Sequence, residues 1–243
     1  MRIAAISDIH SNLMALQAVW EDLQQHHPDV VVCLGDHLWG SLDPREVADF
    51  LMAHQVVCIA GNQDRSILEP SAAEATGADY TRIHAELQKH HLEWLREMPA
   101  TLLLEDVLLC HGTPTSDTTY LLETVTEHGV RLASEKEILQ RLGISSAPLV
   151  LCGHSHISRT VQAGNSLVVN PGSVGMPAYD DDVPFFHVME SGSPHARYAL
   201  LTQTGEHWKV SQQQVVYDWS RAAQQAAERG RPDRARWISS GRT

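Results

Sequence analysis

The chain has 243 residues, of which 43% are hydrophobic and 20% are charged. This composition suits a globular protein with a sizeable core and excludes disordered, fibrous and coiled-coil proteins. The 30 acidic side chains outnumber the 18 basic ones and give a net charge of −12. A broad basic surface for nucleic acid or for an anionic membrane is therefore not expected.

The cysteines and the apolar runs indicate the cellular compartment. Cys33, Cys58, Cys110 and Cys152 lie in or at the end of apolar runs, and none has the C-x-x-C spacing of a redox or zinc motif. We interpret them as reduced core thiols. The N-terminus lacks a signal-peptide pattern, and no apolar run approaches the roughly 18 residues of a membrane span. We expect a cytoplasmic protein.

Strands and amphipathic helices alternate in the first part of the chain. The apolar runs Ile3–Ile6, Val30–Leu34 and Val56–Ala60 predict strands. Helical spacing predicts a helix from Leu13 to Leu23 and a second one from the Asp43 cap to Ala53. The order is therefore βαβαβ.

A longer helical pattern runs from Tyr80 to Met98, where Pro99 ends it. Thr101–Leu104 and Val107–Cys110 predict two further strands. A capping box at Ser134 predicts a short helix that ends at Gly143.

The last third of the chain is predicted to be mostly strands. The predicted strands are Leu149–Cys152, Arg159–Gln162, Leu167–Val169, Phe185–Met189, Ala196–Thr202 and His207–Ser211, the last two forming a hairpin. A final helix is predicted from about Asp218 to Arg229. The order of elements indicates two packed sheets flanked by helices in one domain, residues 1–243, with a core of residues 1–211 and a basic helical tail of residues 212–243.

Polar residues follow the predicted strands at the point where each strand ends. They are Asp8, His10, Asp36, Asn62, His111, His154 and His156. The carboxyl ends of neighbouring strands converge on one crevice of an α/β sheet. Oxygen and nitrogen donors without a thiolate suit divalent cations such as Mn²⁺, Fe²⁺ or Zn²⁺.

These motifs together resemble the signature of the calcineurin-like metallophosphoesterase superfamily, and in particular its small single-domain bacterial and archaeal phosphodiesterase-like branch. The matching motifs are Asp8-x-His10, Gly35-Asp36, Gly61-Asn62-x-Asp64, His111, Gly153-His154-x-His156 and Asn170-Pro171-Gly172-Ser173. The resemblance implies a four-layer αββα sandwich with two packed mixed sheets. It also implies two divalent metal ions, with manganese expected first and iron, zinc, nickel or magnesium as alternatives.

The resemblance assigns ligands to each metal. Asp8, His10, Asp36 and His156 would hold one ion, and Asp36, Asn62, His111 and His154 the other, with Asp36 bridging. Two such ions lower the pKa of a bridging water toward about 7, so that a hydroxide is available to attack phosphorus. Asp64 or a backbone carbonyl is expected to orient the histidine ligands.

The sequence departs from the family pattern at two places. Gln63 stands where much of the superfamily has a histidine that protonates the leaving group, and an amide cannot donate that proton. Gln63 could instead hydrogen-bond a phosphate oxygen. His37 is a candidate substitute acid, with packing or solvent exposure as the alternative interpretation. Residues 35–40 also lack the Asp-Arg-Gly continuation of Ser/Thr phosphoprotein phosphatases, so a dedicated protein phosphatase is disfavoured.

Three further segments are weaker candidates for substrate contact. Residues 113–133 form a polar insertion in which Tyr120 and Arg131 could reach a substrate, unless the insertion is an ordinary surface excursion. The acidic residues after Tyr179 could line the crevice or be merely solvated. The tail carries six arginines together with Trp219 and Trp237, which could clamp a phosphate-bearing partner or a second subunit; packing of an amphipathic helix is the preferred alternative.

The principal hypothesis is a dinuclear-metal-dependent phosphoesterase that hydrolyses a phosphomonoester or phosphodiester of a small molecule, expected to be a nucleotide. The first alternative is a diadenosine-polyphosphate or cyclic-nucleotide hydrolase. An alternative of another class is a metal-binding or phosphoryl-sensing interaction protein that has lost catalysis. The sequence does not indicate the oligomeric state.

Overall fold

The computed structural model describes residues 1–243 and contains two five-stranded mixed sheets with helices. The strands are β1 (Arg2–Ile6), β2 (Val30–Cys33), β3 (Val57–Cys58), β4 (Thr101–Leu104), β5 (Val107–Cys110), β6 (Glu123–Thr126), β7 (Gly129–Leu132), β8 (Leu149–Leu151), β9 (Arg159–Ala163), β10 (Ser166–Asn170), β11 (Ala178–Asp181), β12 (His187–Glu190), β13 (Ala196–Thr204) and β14 (His207–Val215). The helices are α1 (Leu13–Gln24), α2 (Pro44–Ala53), α3 (Asn62–Leu68), α4 (Ala78–Glu86), α5 (Lys89–Glu97), α6 (Glu135–Leu142), α7 (Trp219–Glu228) and α8 (Pro232–Ser240), with a short 3₁₀ turn at Glu74–Thr76.

The first sheet has the order β14-β13-β1-β2-β3, and the second has the order β4-β5-β8-β10-β9. In the first sheet β1, β2 and β3 are parallel, while β13 is antiparallel to β1. In the second sheet β5, β8 and β10 are parallel. Both sheets are therefore mixed, and the carboxyl ends of their parallel strands are free to carry a site.

The alternation of side chains along β1 shows how the layers pack. Ile3 and Ala5 lie among the residues that fill the space between the two sheets. Ala4 and Ile6 belong to the larger cluster that joins the first sheet to its helices. Successive side chains of a strand point to opposite faces, so β1 is apolar on both faces because both are covered. The second sheet packs its outer face against Ile138 of α6. The expected four-layer arrangement of helices and two sheets is confirmed.

Several local predictions were wrong. The pattern from Tyr80 to Met98 is not one helix but two, α4 and α5, because Leu87 and Gln88 have extended backbone. The Gln88 amide donates to His91 Nδ1 at 3.1 Å and so caps the start of a new helix. The predicted strand at Phe185 begins only at His187, and both Phe185 and Phe186 are exposed.

Other elements were not predicted at all. The hairpin of β6 and β7 lies inside the polar insertion, and β11 follows the Asn-Pro-Gly-Ser turn. The tail contains a second helix, α8, separated from α7 by Gly230 with φ +78° and begun by Pro232. No helix is both long enough and apolar enough to cross a bilayer.

Candidate metal centre

The loops after β1, β2, β3, β5 and β8 bring all seven predicted metal ligands to one edge of the two sheets. They are Asp8, His10, Asp36, Asn62, His111, His154 and His156. Asn62 and His154 are partly exposed and the other members are buried. Buried carboxylates and imidazoles in one place require compensating partners, because an unpaired polar group in a protein interior is costly.

The first ligand group consists of Asp8, His10 and His156, whose ligand atoms all lie within 4.8 Å of one another. The Nε2 atoms of His10 and His156 are 3.0 Å apart. Asp8 Oδ1 lies 3.3 Å from His156 Nε2 and accepts no hydrogen bond.

The second group consists of Asp36, His111 and His154, again within 4.8 Å of one another. His111 Nε2 is 3.5 Å from Asp36 Oδ2 and 3.0 Å from Asn62 Oδ1. The other carboxylate oxygen of Asp36 accepts the backbone amide of Gln63 at 2.9 Å. The place of Asp36 as a bridge between the two groups stays a prediction.

The chemistry of the first group fits a divalent cation. His10 Nδ1 is 2.8 Å from the Trp39 carbonyl oxygen, and His156 Nδ1 is 2.6 Å from the Met176 carbonyl oxygen. A carbonyl oxygen only accepts, so each Nδ1 carries a hydrogen and Nε2 is the ring nitrogen left for a metal. The two Nε2 atoms and a carboxylate oxygen without a hydrogen-bond partner form a donor set that fits a divalent cation.

Neighbouring groups shift the pKa values of the buried imidazoles in opposite directions. Burial and then the neighbouring imidazole lower the pKa of His10 and of His154 to about 4, so both rings are neutral at pH 7. Burial opposes protonation of His111 as well, but the Asp36 carboxylate outweighs it and raises the pKa of His111 to about 10. A cation bound at this position displaces that proton.

Backbone conformation at the ligands is unusual. Nine non-glycine residues have positive φ, and five of them are predicted ligands. The five are Asp8, His10, Asp36, His154 and His156, with φ between 48° and 67°. Asp and His tolerate this left-handed region better than bulkier residues, and such strain concentrates at functional sites.

Glycine packing brings the loops close together. Gly35 has φ +101°, and a Cβ there would lie 2.6 Å from Gly61 N and 2.7 Å from His111 Nδ1. Only a residue without a side chain lets the β2 loop approach both neighbours this closely. His111 Nδ1 also lies 2.7 Å from the Leu34 carbonyl, so a backbone oxygen orients this ring too.

Asp64 holds the loop that carries Asp36. Its carboxylate accepts the backbone amides of Asp36 at 2.8 Å, His37 at 3.0 Å and Gly61 at 2.9 Å, and it also contacts His37 Nδ1 at 2.8 Å. Asp64 contacts no ligand histidine, because backbone carbonyls orient those rings. His37 is fully buried, and its ring packs edge-on against Trp94. His37 therefore lies behind the site and not in the cleft.

The Asn-Pro-Gly-Ser turn supports the loop of His154 and His156 from behind. Asn170 Nδ2 donates to the Gly153 carbonyl at 2.7 Å and lies 3.1 Å from Ser155 Oγ. Ser173 Oγ donates to the Asp8 carbonyl at 2.8 Å. The turn thus links the first and the fifth motifs of the sequence.

A cleft of about 320 Å³ opens over the two ligand groups. Gln63, Tyr179, Asp180 and Asp181 line it. Tyr120 is buried and stacks on His154 with ring centroids 4.6 Å apart. Two weaker candidates from the sequence thus lie at the site.

Two other candidates behave differently. Arg131 is bound to Glu137 and does not line the cleft. Another wall comes from α8, which contributes Arg234 and Trp237, and from Arg231, the residue before this helix. Sequence analysis did not assign these residues to the site; the cluster of arginines near the C-terminus was the available signal.

Comparisons with known proteins show chains of similar sequence and fold. An uncharacterised protein of Methanocaldococcus jannaschii is 24% identical over 260 residues, covering 95% of this chain and 94% of that protein. The crystal structure of a metallophosphoesterase from Sphaerobacter thermophilus superposes with a TM-score of 0.76 at 23% identity, covering 99% of both chains. A hypothetical protein of Pyrococcus horikoshii superposes with a TM-score of 0.72 at 17% identity, covering 99% of this chain and 98% of that one. These two structures show a shared fold.

The sequence match to a family is broader than any single motif. Residues 1–191 match the calcineurin-like phosphoesterase superfamily domain, a segment that contains every loop described above except the α8 wall. The chain therefore belongs to the calcineurin-like phosphoesterase superfamily.

Proposed function

We propose that this chain is a dinuclear-metal-dependent phosphoesterase that hydrolyses a phosphomonoester or phosphodiester of a small molecule, with a nucleotide as the expected substrate. The observation that carries the proposal is the 3.0 Å approach of His10 Nε2 and His156 Nε2 beside Asp8 Oδ1, which has no hydrogen-bond partner. Family membership supports a phosphoester as the bond that is cleaved.

The residues would divide between two cations. Asp8, His10 and His156 would hold one ion, and Asn62, His111 and His154 the other, with Asp36 shared. Manganese is the proposed metal, because oxygen and imidazole donors without thiolate suit it. Two such cations would supply Lewis acidity toward the phosphoryl oxygens and would lower the pKa of a coordinated water.

The protein itself positions the ligands and the substrate. Asp64 holds the loop of Asp36 through three backbone amides, and backbone carbonyls fix the rings of His10, His111 and His156. Gln63 lines the cleft. We propose that its Nε2 donates a hydrogen bond to a phosphate oxygen of the substrate.

Residue 63 is a glutamine and not a histidine, so it cannot protonate a leaving group. His37 is buried behind the site. An alkoxide that leaves without a proton donor is a poor leaving group. The proposed substrates are therefore activated esters, diesters or polyphosphates, whose leaving groups are stable as anions.

The test uses chelator-treated protein and two chromogenic esters, p-nitrophenyl phosphate and bis-p-nitrophenyl phosphate. Adding Mn²⁺ should restore turnover of at least one ester. Asp36→Asn should reduce that turnover by more than about 100-fold, because it changes a metal ligand and not merely a residue behind one. Exposed Asp106→Asn is the matched control and should keep full activity. If no metal restores turnover of either ester, the chain is instead a metal-binding or phosphoryl-sensing protein.

A further inference from the structure

The wall of the cleft formed by α8 contains buried polar atoms that have no partner in the protein. Arg234 Nε and Nη1 and Trp237 Nε1 are all buried without a hydrogen bond. Both residues line the same cleft of about 320 Å³ as the predicted metal ligands. Buried donors are almost always satisfied in native proteins, so unpaired donors beside a cleft call for a partner from outside the chain.

We propose that Arg234 and Trp237 form an anion subsite that binds a second phosphoryl group of the substrate. This proposal rests on the proposed function, because the first phosphoryl group would lie at the metal centre. The substrate would then be a phosphate ester with two phosphoryl groups, such as a polyphosphate or a bisphosphate.

Arg234 has the chemistry that the subsite requires. Its side chain is only 8% exposed, and Nη2 is bound to Asp79 Oδ2 at 3.0 Å. The guanidinium has donors left over, since the hydrogens on Nε and Nη1 remain unused. The planar fork of arginine matches the oxygens of a phosphoryl group, which is why arginine is the preferred residue for phosphate recognition.

Trp237 extends the same donor surface. It lies three residues after Arg234 on α8, and residues at this spacing share one face of a helix. The indole is 7% exposed and Nε1 is donor-only. Trp237 packs with Met176, and the Met176 carbonyl holds His156 at 2.6 Å. The proposed subsite therefore adjoins the metal centre.

The charges around Arg234 leave it free to bind an anion. Asp79 is the carboxylate that contacts it, and this group is shared with Arg231 and, at 3.9 Å, with Arg82. Asp233 is bound to Arg231. Burial lowers the pKa of Arg234 to about 10, so the guanidinium is charged at pH 7.

Carboxylates that line the cleft set a condition for binding. They are Asp36, Asp180, Asp181 and Asp233, and their charges repel an anion. Two bound divalent cations would offset this negative charge. Anion binding is therefore expected only in metal-loaded protein, and the experiment uses that form.

Binding of alkyl bisphosphonates tests the proposal without requiring turnover. Mn²⁺-loaded protein is titrated calorimetrically with inorganic phosphate and with α,ω-bisphosphonates that have one to four methylene groups. At least one bisphosphonate should bind about tenfold more tightly than phosphate. Arg234→Met should remove that preference, because a hydrogen bond to a charged group is worth about one order of magnitude in affinity. Phosphate affinity should stay within about twofold. Exposed Arg236→Met on the same helix is the matched control and should change neither affinity.

A second variant guards against misfolding of the first. Trp237→Phe keeps an aromatic ring and removes only the N–H donor, and it should weaken the preferred bisphosphonate by about threefold or more. The proposal is overturned if wild-type protein shows no preference, or if a folded Arg234→Met and a folded Trp237→Phe both keep it. A bisphosphonate preference in a protein that hydrolyses no ester would sink the proposed function and leave the subsite standing.

Discussion

His10 and His156 lie 146 positions apart in the chain, yet their Nε2 atoms approach to 3.0 Å. A backbone carbonyl holds each ring at Nδ1, so that both Nε2 atoms face one position. A cation placed there should bind the folded protein and not the unfolded chain.

Metal loading should accordingly raise the melting temperature. Mn²⁺ at about 100 times its Kd should raise the Tm by roughly 5–10 °C, since a ligand at that excess adds about 2.7 kcal/mol to a domain of this size. Differential scanning calorimetry with and without chelator measures the shift. His156→Ala should reduce it, and the exposed His128→Ala should not. An unchanged shift in His156→Ala would contradict the ligand assignment.

Asp64 is expected to act through metal affinity. Asp64→Asn removes the carboxylate that holds the backbone amides of Asp36, His37 and Gly61. Metal affinity should fall by about 10–100-fold, as is typical when a residue behind a ligand is changed. Activity should recover at high Mn²⁺, in contrast to Asp36→Asn. A loss of turnover that excess metal does not restore would mean that Asp64 has another role.

The residue at position 63 is expected to determine which leaving groups the protein can release. Gln63→His introduces a proton donor into the cleft, and general acid catalysis contributes about 10²–10⁴-fold where geometry is favourable. Turnover of an alkyl phosphate should therefore rise by at least about tenfold relative to p-nitrophenyl phosphate. Gln63→Asn is the control because it keeps an amide. If the ratio of alkyl-ester turnover to aryl-ester turnover stays the same, the proposal that the missing acid selects the substrate is wrong.

Asn170 is expected to contribute to stability as well as to the site. Its side chain is almost fully buried, donates to the Gly153 carbonyl and accepts the Gly172 amide at 2.8 Å. Asn170→Ala leaves these groups unsatisfied and should lower the free energy of unfolding by about 2–4 kcal/mol. Urea denaturation of chelated protein measures this loss. Asn165→Ala, at an exposed turn, should change it by less than about 0.5 kcal/mol.

The lowered pKa of Glu137 predicts that the stability of the fold depends on pH. Hydrogen bonds from Arg131 and then from Ser134 hold the pKa of this carboxylate well below its usual range. A lowered pKa means that the carboxylate stabilises the fold above the unfolded-state value of about 4.3 and that this contribution is lost as the pH falls. Glu137→Gln should lower the Tm at pH 7, and the difference from wild type should shrink by pH 3. Thermal melts of both proteins in the presence of a chelator test this prediction. A Tm difference between the variant and wild type that grows as the pH falls would contradict it.

Much of the site could be predicted from short stretches of sequence. Apolar runs such as Ile3–Ile6 define strands, and polar residues such as Asp8 and His10 follow them directly. Parallel strands end at one edge of a sheet, so residues after different strands meet without any knowledge of their contacts. The αββα architecture was predictable through the family resemblance, because composition and periodicity alone reach only two sheets with helices.

Short stretches of sequence did not predict the break between α4 and α5 or the place of the tail at the cleft. The pattern from Tyr80 to Met98 has helical spacing throughout, yet His91 caps a new helix at Gln88. The arginines of the tail have no sequence neighbours that reveal a site; Arg234 reaches the cleft because α8 meets Asp79 and the loop of Met176.

The sequence by itself determined which residue types stand at the ends of the strands, since local polarity and periodicity are properties of a short window. Tertiary structure alone decided that His37 lies behind the site and that Arg234 lies in its wall. Those placements depend on which surfaces meet across distant parts of the chain. Such surfaces meet through shape and burial, and no short segment carries that information.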